Sequence, residues 1–240
     1  MIRCIELNLL LDLPSPSLRS LGWSVYNTIY PRLSGQTLCI CYNWQLHHWV
    51  TTNHSKFIPT SPTSCLSSSS TLGELVTCFE YFTVRPNHYN KTTYEAAQPT
   101  SQQRHDWRIL IMIFLSAHEH CTSMLIPDSF KQLYAIERFY DMCVLYETSI
   151  KGGVYTKGWG FMIVPLWCTS VSRTVHFSAP HPVHEPGTVQ QAASLFQSTG
   201  SQSLFVAGRH RNVFLKFTNC IGPKKYYETD PMHNDVITFL

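Results

Sequence analysis

The sequence predicts an α/β fold: a parallel or mixed sheet with flanking helices in the C-terminal half, and an irregular N-terminal half. Three observations support this prediction. Residues 174–178 form a strand pattern, an amphipathic helix pattern starts at Thr188, and a second strand pattern follows at residues 203–207. Two strands joined by a crossover helix are expected to be parallel, with a right-handed connection.

Residues 1–126 show less regular hydrophobic periodicity than the rest of the chain. Residues 61–71 are rich in serine and threonine, which is typical of a disordered linker, and residues 86–104 are polar and indicate a loop. Residues 75–84, between them, are a candidate strand. We therefore expect this half to pack poorly. Two explanations stay open: the half is disordered, or it is mispredicted from non-coding sequence that was translated.

An α/β domain is predicted over residues 127–240. A capping-type start at residues 127–129 is followed by apolar, aromatic and acidic side chains near helical spacing, which predicts a helix that a glycine pair ends. Residues 160–167 are apolar and predict a strand. Pro165 should mark an edge or an end of that strand, because proline cannot donate to a ladder of hydrogen bonds.

The strand–helix–strand unit is the best-patterned part of the domain. Its helix should begin with Thr188 as the capping residue and end at Gly200, where a left-handed C-terminal cap belongs. Val175 and Phe177 share one face of the first strand. Four helix residues at apolar helical spacing should face the sheet: Val189, Ala192, Ala193 and Phe196.

The composition argues against several classes of partner and of location. The chain has 240 residues, is 44% hydrophobic and has a net charge of only +3, which does not favour nucleic acid or a membrane surface as a partner. The most apolar run, 109–117, is far shorter than the ~20 residues that span a bilayer, so no transmembrane segment is predicted. Glu6 and Asp12 interrupt the apolar start, so no convincing signal peptide is found.

Ionisable residues gather where the two predicted parallel strands end. In open α/β sheets, ligands bind beyond the carboxyl ends of such strands. A histidine and a carboxylate from one loop, with a histidine from a distant segment, could hold zinc and leave a position open for water. An arginine nearby could hold a substrate carboxylate through two hydrogen bonds. The residues concerned are His181, His184, Glu185, Arg209, His210, Arg211, Asp230 and His233.

A simpler interpretation of the same residues stays open. Pro180, Pro182 and Pro186 could merely stiffen a surface loop with solvated side chains. The two arginines could form a basic turn after a buried strand. The histidines are numerous in this chain, twelve in all, so that some would lie close together by chance.

Four segments carry a resemblance to known proteins. They read Val-His-Phe-Ser-Ala-Pro-His-Pro at 175–182, Glu-Pro-Gly-Thr at 185–188, Ser-Leu-Phe-Val-Ala-Gly-Arg-His-Arg at 203–211 and Thr-Asp-Pro-Met-His-Asn at 229–234. Together they resemble a set of uncharacterised secreted fungal proteins. They are similar, more distantly, to the zinc-dependent poly-γ-glutamate hydrolases, which have a carboxypeptidase-like α/β fold.

This resemblance implies a zinc site and a reaction. His181 and Glu185 match the first two zinc ligands of those hydrolases, although the spacing is one residue shorter, and His233 is the best third candidate. Zinc-bound water would attack an amide carbonyl of a small-molecule or peptide substrate, and Arg209 or Arg211 would hold a carboxylate of that substrate. No residue matches a general base. The resemblance also implies an extracellular protein.

His184 is the reserve histidine ligand, in case the shorter spacing shifts the register. Asp230 is the reserve carboxylate, or a residue that orients His233.

Two interpretations other than a hydrolase stay open. The chain could be a non-catalytic, secreted or degenerate member of the same fold that binds no metal. Alternatively, the chain does not fold as a whole, because residues 1–126 are not a domain and the α/β domain is truncated at Leu240, soon after His233.

Overall fold

The computed structural model describes residues 3–8, 37–42, 58–116, 121–214, 216–218 and 226–228. The helices are α1 (Pro62–Ser68), α2 (Leu72–Tyr81), α3 (Lys91–Ala97), α4 (Ser101–Leu115) and α5 (Thr188–Thr199). The strands are β1 (Arg3–Asn8), β2 (Thr37–Tyr42), β3 (Tyr134–Phe139), β4 (Met142–Glu147), β5 (Ile150–Lys151), β6 (Val154–Tyr155), β7 (Phe161–Pro165), β8 (Arg173–Ala179), β9 (Ser201–Val206), β10 (Lys216–Thr218) and β11 (Tyr226–Glu228).

A five-stranded mixed sheet forms the centre of the fold. Its strand order is β3-β4-β7-β9-β8, and the neighbours are antiparallel except for β8 and β9, which are parallel. All five strands lie in the C-terminal half, and helices flank the sheet. The predicted α/β class with a mixed sheet is therefore confirmed.

The predicted strand–helix–strand unit is also confirmed. Helix α5 connects the parallel strands β8 and β9, and Phe177 of β8 lies opposite Leu204 of β9. The helix ends at Gly200, which has the left-handed conformation at φ 59° and ψ 46°. Thr188 is the first helical residue rather than the cap, which is Gly187. The four residues expected to face the sheet are all buried: Val189, Ala192, Ala193 and Phe196.

The expected linker at residues 61–71 is wrong, because most of it forms helix α1. The side chain of Ser61 accepts the backbone N–H of Ser64, and the side chain of Ser64 accepts the backbone N–H of Ser61 in return. A disulfide between Cys65 and Cys78 then ties α1 to α2. Capping and cross-linking therefore order a segment whose composition is typical of disorder.

The candidate strand at residues 75–84 is wrong as well, because the segment belongs largely to helix α2. Its buried residues recur at i, i+3, i+4 and i+7, which is the helical period: Leu72, Leu75, Val76 and Phe79. The loop expected at residues 86–104 contains helix α3 and the start of helix α4. Asn90 and Thr100 cap these two helices, and each makes a reciprocal pair of hydrogen bonds.

The helix expected after residue 127 is wrong, because the chain forms the antiparallel hairpin β3–β4 there. All six residues of β4 are buried, since β4 lies between β3 and β7 inside the sheet. Such a strand is apolar on both faces, and its continuous run cannot be told from a buried helix by periodicity alone. Gly152 and Gly153 do not end a helix but turn the small hairpin β5–β6, with φ of 62° and 79°.

The strand expected at residues 160–167 is confirmed as β7. Pro165 is its last residue and pairs with Met142. Pro165 therefore marks an end of the strand. It does not mark an edge of the sheet, because β7 has β4 on one side and β9 on the other.

Two hydrophobic clusters cover the two faces of the sheet. Along β4, Val144 and Tyr146 belong to one cluster, whereas Cys143 and Leu145 belong to the other. Alternate residues of a strand point to opposite faces, so the clusters lie on opposite sides of the sheet. Helices α1, α2, α3 and α5 contribute to the first cluster and helix α4 contributes to the second.

The prediction of poor packing for residues 1–126 is wrong for residues 58–116. Phe79 of α2 is fully buried in the first cluster, and Trp107 of α4 is buried in the second. Both hydrophobic clusters therefore contain side chains from before and from after residue 126. Apart from strands β1 and β2, residues 1–57 lie outside the described part of the chain.

None of the described helices is both long enough and apolar enough to cross a lipid bilayer.

Candidate functional site

The candidate site lies at the edge of the sheet where the parallel strands β8 and β9 end. Ala179 and Val206 are paired at this edge, and the backbone N–H of Ala207 donates to the Ala179 carbonyl at 3.2 Å. The loop of residues 180–187 and the segment of residues 208–212 therefore leave the sheet side by side. We call this region the β8–β9 edge.

Val183 gives the loop of residues 180–187 an unusual backbone at its centre. Its φ is 65°, which costs of order 1–3 kcal/mol for a branched side chain and is found mainly at functional sites. Its backbone N–H donates to a carboxylate oxygen of Glu80 at 2.9 Å. The other oxygen of Glu80 accepts a hydrogen bond from Gln190 at 2.8 Å. Helices α2 and α5 thus hold the loop in one conformation.

His181 and Glu185 lie one turn apart in this loop. The backbone N–H of Glu185 donates to the His181 carbonyl at 3.3 Å, an i to i+4 hydrogen bond. This bond closes a five-residue turn and brings the backbones of the two residues together, although the positive φ of Val183 means that the turn is not helical. Both residues are partly exposed. Imidazole and carboxylate are both side-chain types that bind zinc, and this turn carries one of each.

His184 and His210 form a hydrogen-bonded pair across the β8–β9 edge. Nδ1 of His184 lies 3.3 Å from Nε2 of His210, and the rings are close to perpendicular, with an interplanar angle of 83°. The centroid of the His184 ring lies 6.5 Å from that of His181. The three imidazoles therefore occupy one small region.

A backbone contact decides which nitrogens of the pair carry protons. Nδ1 of His210 accepts the backbone N–H of Asn212 at 3.0 Å, so the proton of the neutral ring is on Nε2. That N–H then donates to Nδ1 of His184. The proton of His184 is consequently on its Nε2, and because His184 is exposed this N–H is available to a ligand. This arrangement favours His184 as a hydrogen-bond donor over its reserve role as a metal ligand.

His210 is fixed to a segment from the N-terminal half. Its backbone N–H donates to the Val84 carbonyl at 2.9 Å, and the N–H of Val84 donates to the Gly208 carbonyl at 2.9 Å. Burial lowers the pKa of His210, and its electrostatic interactions with the His184 imidazole and with the guanidinium groups of Arg211 and Arg85 lower it further. The surroundings of this ring are therefore positive.

Arg209 is placed in the interior and not at the exposed part of the edge. Its Nε donates to the Lys157 carbonyl at 2.7 Å, and one terminal nitrogen donates to the Ala97 carbonyl at 3.0 Å. The guanidinium also lies over the rings of Tyr89 and Tyr94, 5.2 and 5.6 Å from their centroids. Arg209 is only 4% exposed. This position favours a structural role over contact with a substrate carboxylate.

Arg211 differs from Arg209 in being partly exposed, and it lies beside the buried His210. Its charge is one of those that lower the pKa of His210. Of the two arginines that the sequence offers for a substrate carboxylate, the structure therefore places only Arg211 where a ligand from solvent could reach it.

Glu147 is a buried carboxylate that the sequence did not single out. It accepts the backbone N–H groups of Lys157, Gly158 and Trp159 at 2.6, 2.8 and 3.3 Å. Burial raises the pKa of Glu147 to about 7, against the opposing effect of these hydrogen bonds and of Arg209. Glu147 shapes the loop whose Lys157 carbonyl receives Arg209. The segment was expected to be helical, so no sequence signal pointed to this role.

Two predicted site residues, Asp230 and His233, lie outside the described part of the chain. Within the described part, no group of three or more histidine, cysteine, aspartate or glutamate side chains is arranged to hold a metal ion. The structure thus brings His181, His184, Glu185 and Arg211 to one edge and moves Arg209 into the interior.

Comparisons with models of protein families, with curated proteins and with solved structures found no match to this chain.

Proposed function

We propose that the chain is a zinc-dependent peptidase or amide hydrolase that acts on a carboxylate-bearing substrate. One observation carries this proposal. The turn that a backbone hydrogen bond closes between His181 and Glu185 lies at the carboxyl ends of two parallel strands, where ligands bind in open α/β sheets. A strained residue, Val183, stands between them and is held by Glu80, as expected of a loop whose shape matters for function.

His181 and Glu185 are the proposed zinc ligands from the described residues, with His233 as the third. Zinc bound there would lower the pKa of a water molecule and polarise an amide carbonyl. Glu80 keeps the ligand loop in place through the Val183 N–H. Arg211 would attract and orient a carboxylate of the substrate, because its guanidinium can donate two parallel hydrogen bonds.

The experiment that tests this function measures hydrolysis of γ-glutamyl peptides and of the same peptides with their carboxylates converted to amides. The wild-type chain should cleave the carboxylate form, lose activity with a chelator and regain it with zinc. H181A and E185Q should each lose more than about 100-fold in kcat/KM. The control H105A, an exposed histidine on α4, should keep full activity. Undiminished cleavage by H181A would contradict the proposal.

A non-catalytic member of the same fold is the second candidate. Two observations favour it. Arg209 donates to main-chain carbonyls in the interior, and His184 and His210 bond to each other. Groups that serve the protein's own structure are less free for catalysis. This candidate predicts that the purified chain retains no zinc and cleaves none of the peptides, while it stays folded.

We also propose that the protein is secreted. The described part of the chain contains two disulfides, Cys65–Cys78 and Cys121–Cys143. Such bonds form and persist in oxidising compartments, including the space outside the cell. Recovery of both disulfides from protein isolated out of culture medium would support this location. Reduced cysteines in protein taken from the cell interior would contradict it.

A further inference from the structure

We infer that Arg85 and Arg211, together with the Nε2–H group of His184, form the subsite that binds the carboxylate of the substrate. Arg85 thereby takes the role that the sequence offered to Arg209. As an account of substrate recognition this inference rests on the proposed function. Binding of a carboxylate to these groups can nevertheless be measured without metal and without hydrolysis.

The backbone brings Arg85 to the β8–β9 edge. Val84 pairs with Arg209 in a parallel bridge, and both side chains are buried. Arg85 follows Val84, and His210 follows Arg209. The His210 N–H donates to the Val84 carbonyl. Arg85 is exposed, whereas Val84, the residue before it, is buried in the interior. The pairing therefore sets Arg85 next to His210 from a distant part of the chain.

Both arginines act on the same imidazole from different segments. Arg85 comes from the connection after α2, and Arg211 comes from the exit of β9. Each of their charges lowers the pKa of His210, in addition to the effect of burial and of His184. Arg85 follows Val84 and Arg211 follows His210, so the hydrogen bond from the His210 N–H to the Val84 carbonyl brings the two arginines to neighbouring positions at this edge.

The two guanidinium groups retain donors for a ligand. Arg85 donates one hydrogen bond to the Tyr81 carbonyl at 2.9 Å, which leaves the remaining N–H groups of its planar fork. Among the described residues, no carboxylate forms a salt bridge with Arg85 or Arg211. Glu80, the acidic residue nearest in the chain to Arg85, already accepts hydrogen bonds from Val183 and Gln190. The positive charge of this edge therefore lacks a partner within that part of the protein.

His184 adds a third donor to the two arginines. Its Nδ1 accepts a hydrogen bond from His210, so the proton of this exposed residue is on Nε2. A carboxylate has two oxygens and about four acceptor positions, which match two guanidinium groups and one N–H. The matching ligand is a carboxylate in contact with solvent, close to the loop that carries His181 and Glu185.

The test is a calorimetric titration of the chelator-treated full chain with glutarate, compared with glutaramide, its uncharged diamide. Wild-type protein should bind glutarate saturably and glutaramide at least about tenfold more weakly. R85Q and R211Q should each weaken glutarate binding by about tenfold. R108Q, which removes an exposed arginine on α4, should bind as the wild type does. Thermal melts monitored by circular dichroism confirm that each variant is folded.

Several results would overturn the inference. These are no saturable binding of glutarate by the wild type, undiminished binding by R85Q, or an equal loss in R108Q. Inorganic phosphate that binds more than about tenfold tighter than glutarate would overturn the assignment to a carboxylate. R211K is the second variant at this position. It keeps the charge but loses the planar fork, so it should bind more weakly than the wild type and more tightly than R211Q.

The titration separates this inference from the proposed function. Zinc is absent, so glutarate binding does not depend on His181, Glu185 or His233 holding a metal. Binding of glutarate by a chain that takes up no zinc would support the subsite and contradict the hydrolase. Uptake of zinc by a chain that binds no glutarate would support the metal site and overturn the subsite.

Discussion

Glu147 couples the stability of the fold to pH through a single buried carboxyl. Its pKa is about 7 in the folded protein, against an ordinary value of 4.5, because burial disfavours the charged form. Between these two pH values the folded chain holds a proton on Glu147 that the unfolded chain has lost. The stability associated with this group is therefore fully present below pH 4.5 and is lost as pH rises to about 7.

The variant E147Q isolates this effect. Glutamine does not titrate, so the free energy of unfolding of the wild type, relative to E147Q, should fall by about 3 kcal/mol between pH 4.5 and pH 7.5. Urea unfolding of both proteins at the two pH values measures the difference. Groups such as His176 and His210, whose pKa values are lowered, affect both proteins alike. A difference that stays constant or rises with pH would show that Glu147 is ionised in the folded state.

The positions of some individual site residues were predictable from the sequence, and those of others were not. His181, Glu185 and Arg211 were expected at the edge of the sheet, because each follows a strand whose pattern is clear. The burial of Arg209 depends on carbonyls and aromatic rings from residues 89–97, which were interpreted as a loop. The sequence therefore indicated where Arg209 follows its strand, but not that these groups would bury its side chain.

Helix α5 is the element on which the architecture of the site depends, because it connects the two parallel strands. Phe196 is the largest of its buried residues and is only 2% exposed, in the cluster between α5, α2 and the sheet. Helix α5 also positions the ligand loop, since Gln190 holds Glu80 and Glu80 holds Val183.

Replacing Phe196 with alanine should lower the free energy of unfolding by about 3–5 kcal/mol, because it leaves a cavity in a packed core. The matched control is Q197A, on the exposed side of the same helix, which should change stability by less than about 0.5 kcal/mol. Chemical denaturation of the three proteins gives the comparison. A loss below about 1 kcal/mol for F196A would mean that the helix does not pack on the sheet as described.

The elements that were predicted correctly share a physical property. In α5 and its two strands, the periodicity of apolar residues agrees with the local capping and turn residues. In the hairpin β3–β4 the two disagree. Strand β4 is buried on both faces and has no alternation, and the apolar, aromatic and acidic residues from Phe130 to Glu147 fall near helical spacing by chance. In α1 the serine-rich composition hides a helix that a capping box and a disulfide stabilise.

For the whole molecule, helices from before residue 126 and strands from after it share both hydrophobic clusters. The disulfide Cys65–Cys78 joins α1 to α2, and Cys121–Cys143 joins the segment after α4 to strand β4 inside the sheet. Covalent links of this kind restrict the unfolded chain and so favour the folded one.

Removal of the Cys65–Cys78 disulfide should destabilise the whole fold. The double variant C65A/C78A should lose about 3 kcal/mol of unfolding free energy, as expected for a closed loop of this length. The control C168A removes an exposed free cysteine and should have little effect. Urea unfolding under non-reducing conditions tests this. Equal stability of the double variant and the wild type would show that the bond does not support the fold.

The metal content of the purified full chain tests the central claim most directly. After dialysis against a low concentration of zinc, mass spectrometry of the metal should find about one zinc per wild-type chain. H181A and E185Q should retain much less than one, and H105A should retain the wild-type amount. A wild-type chain that is folded yet holds no zinc, or an H181A/E185Q double variant that holds as much as the wild type, would contradict the proposed zinc site.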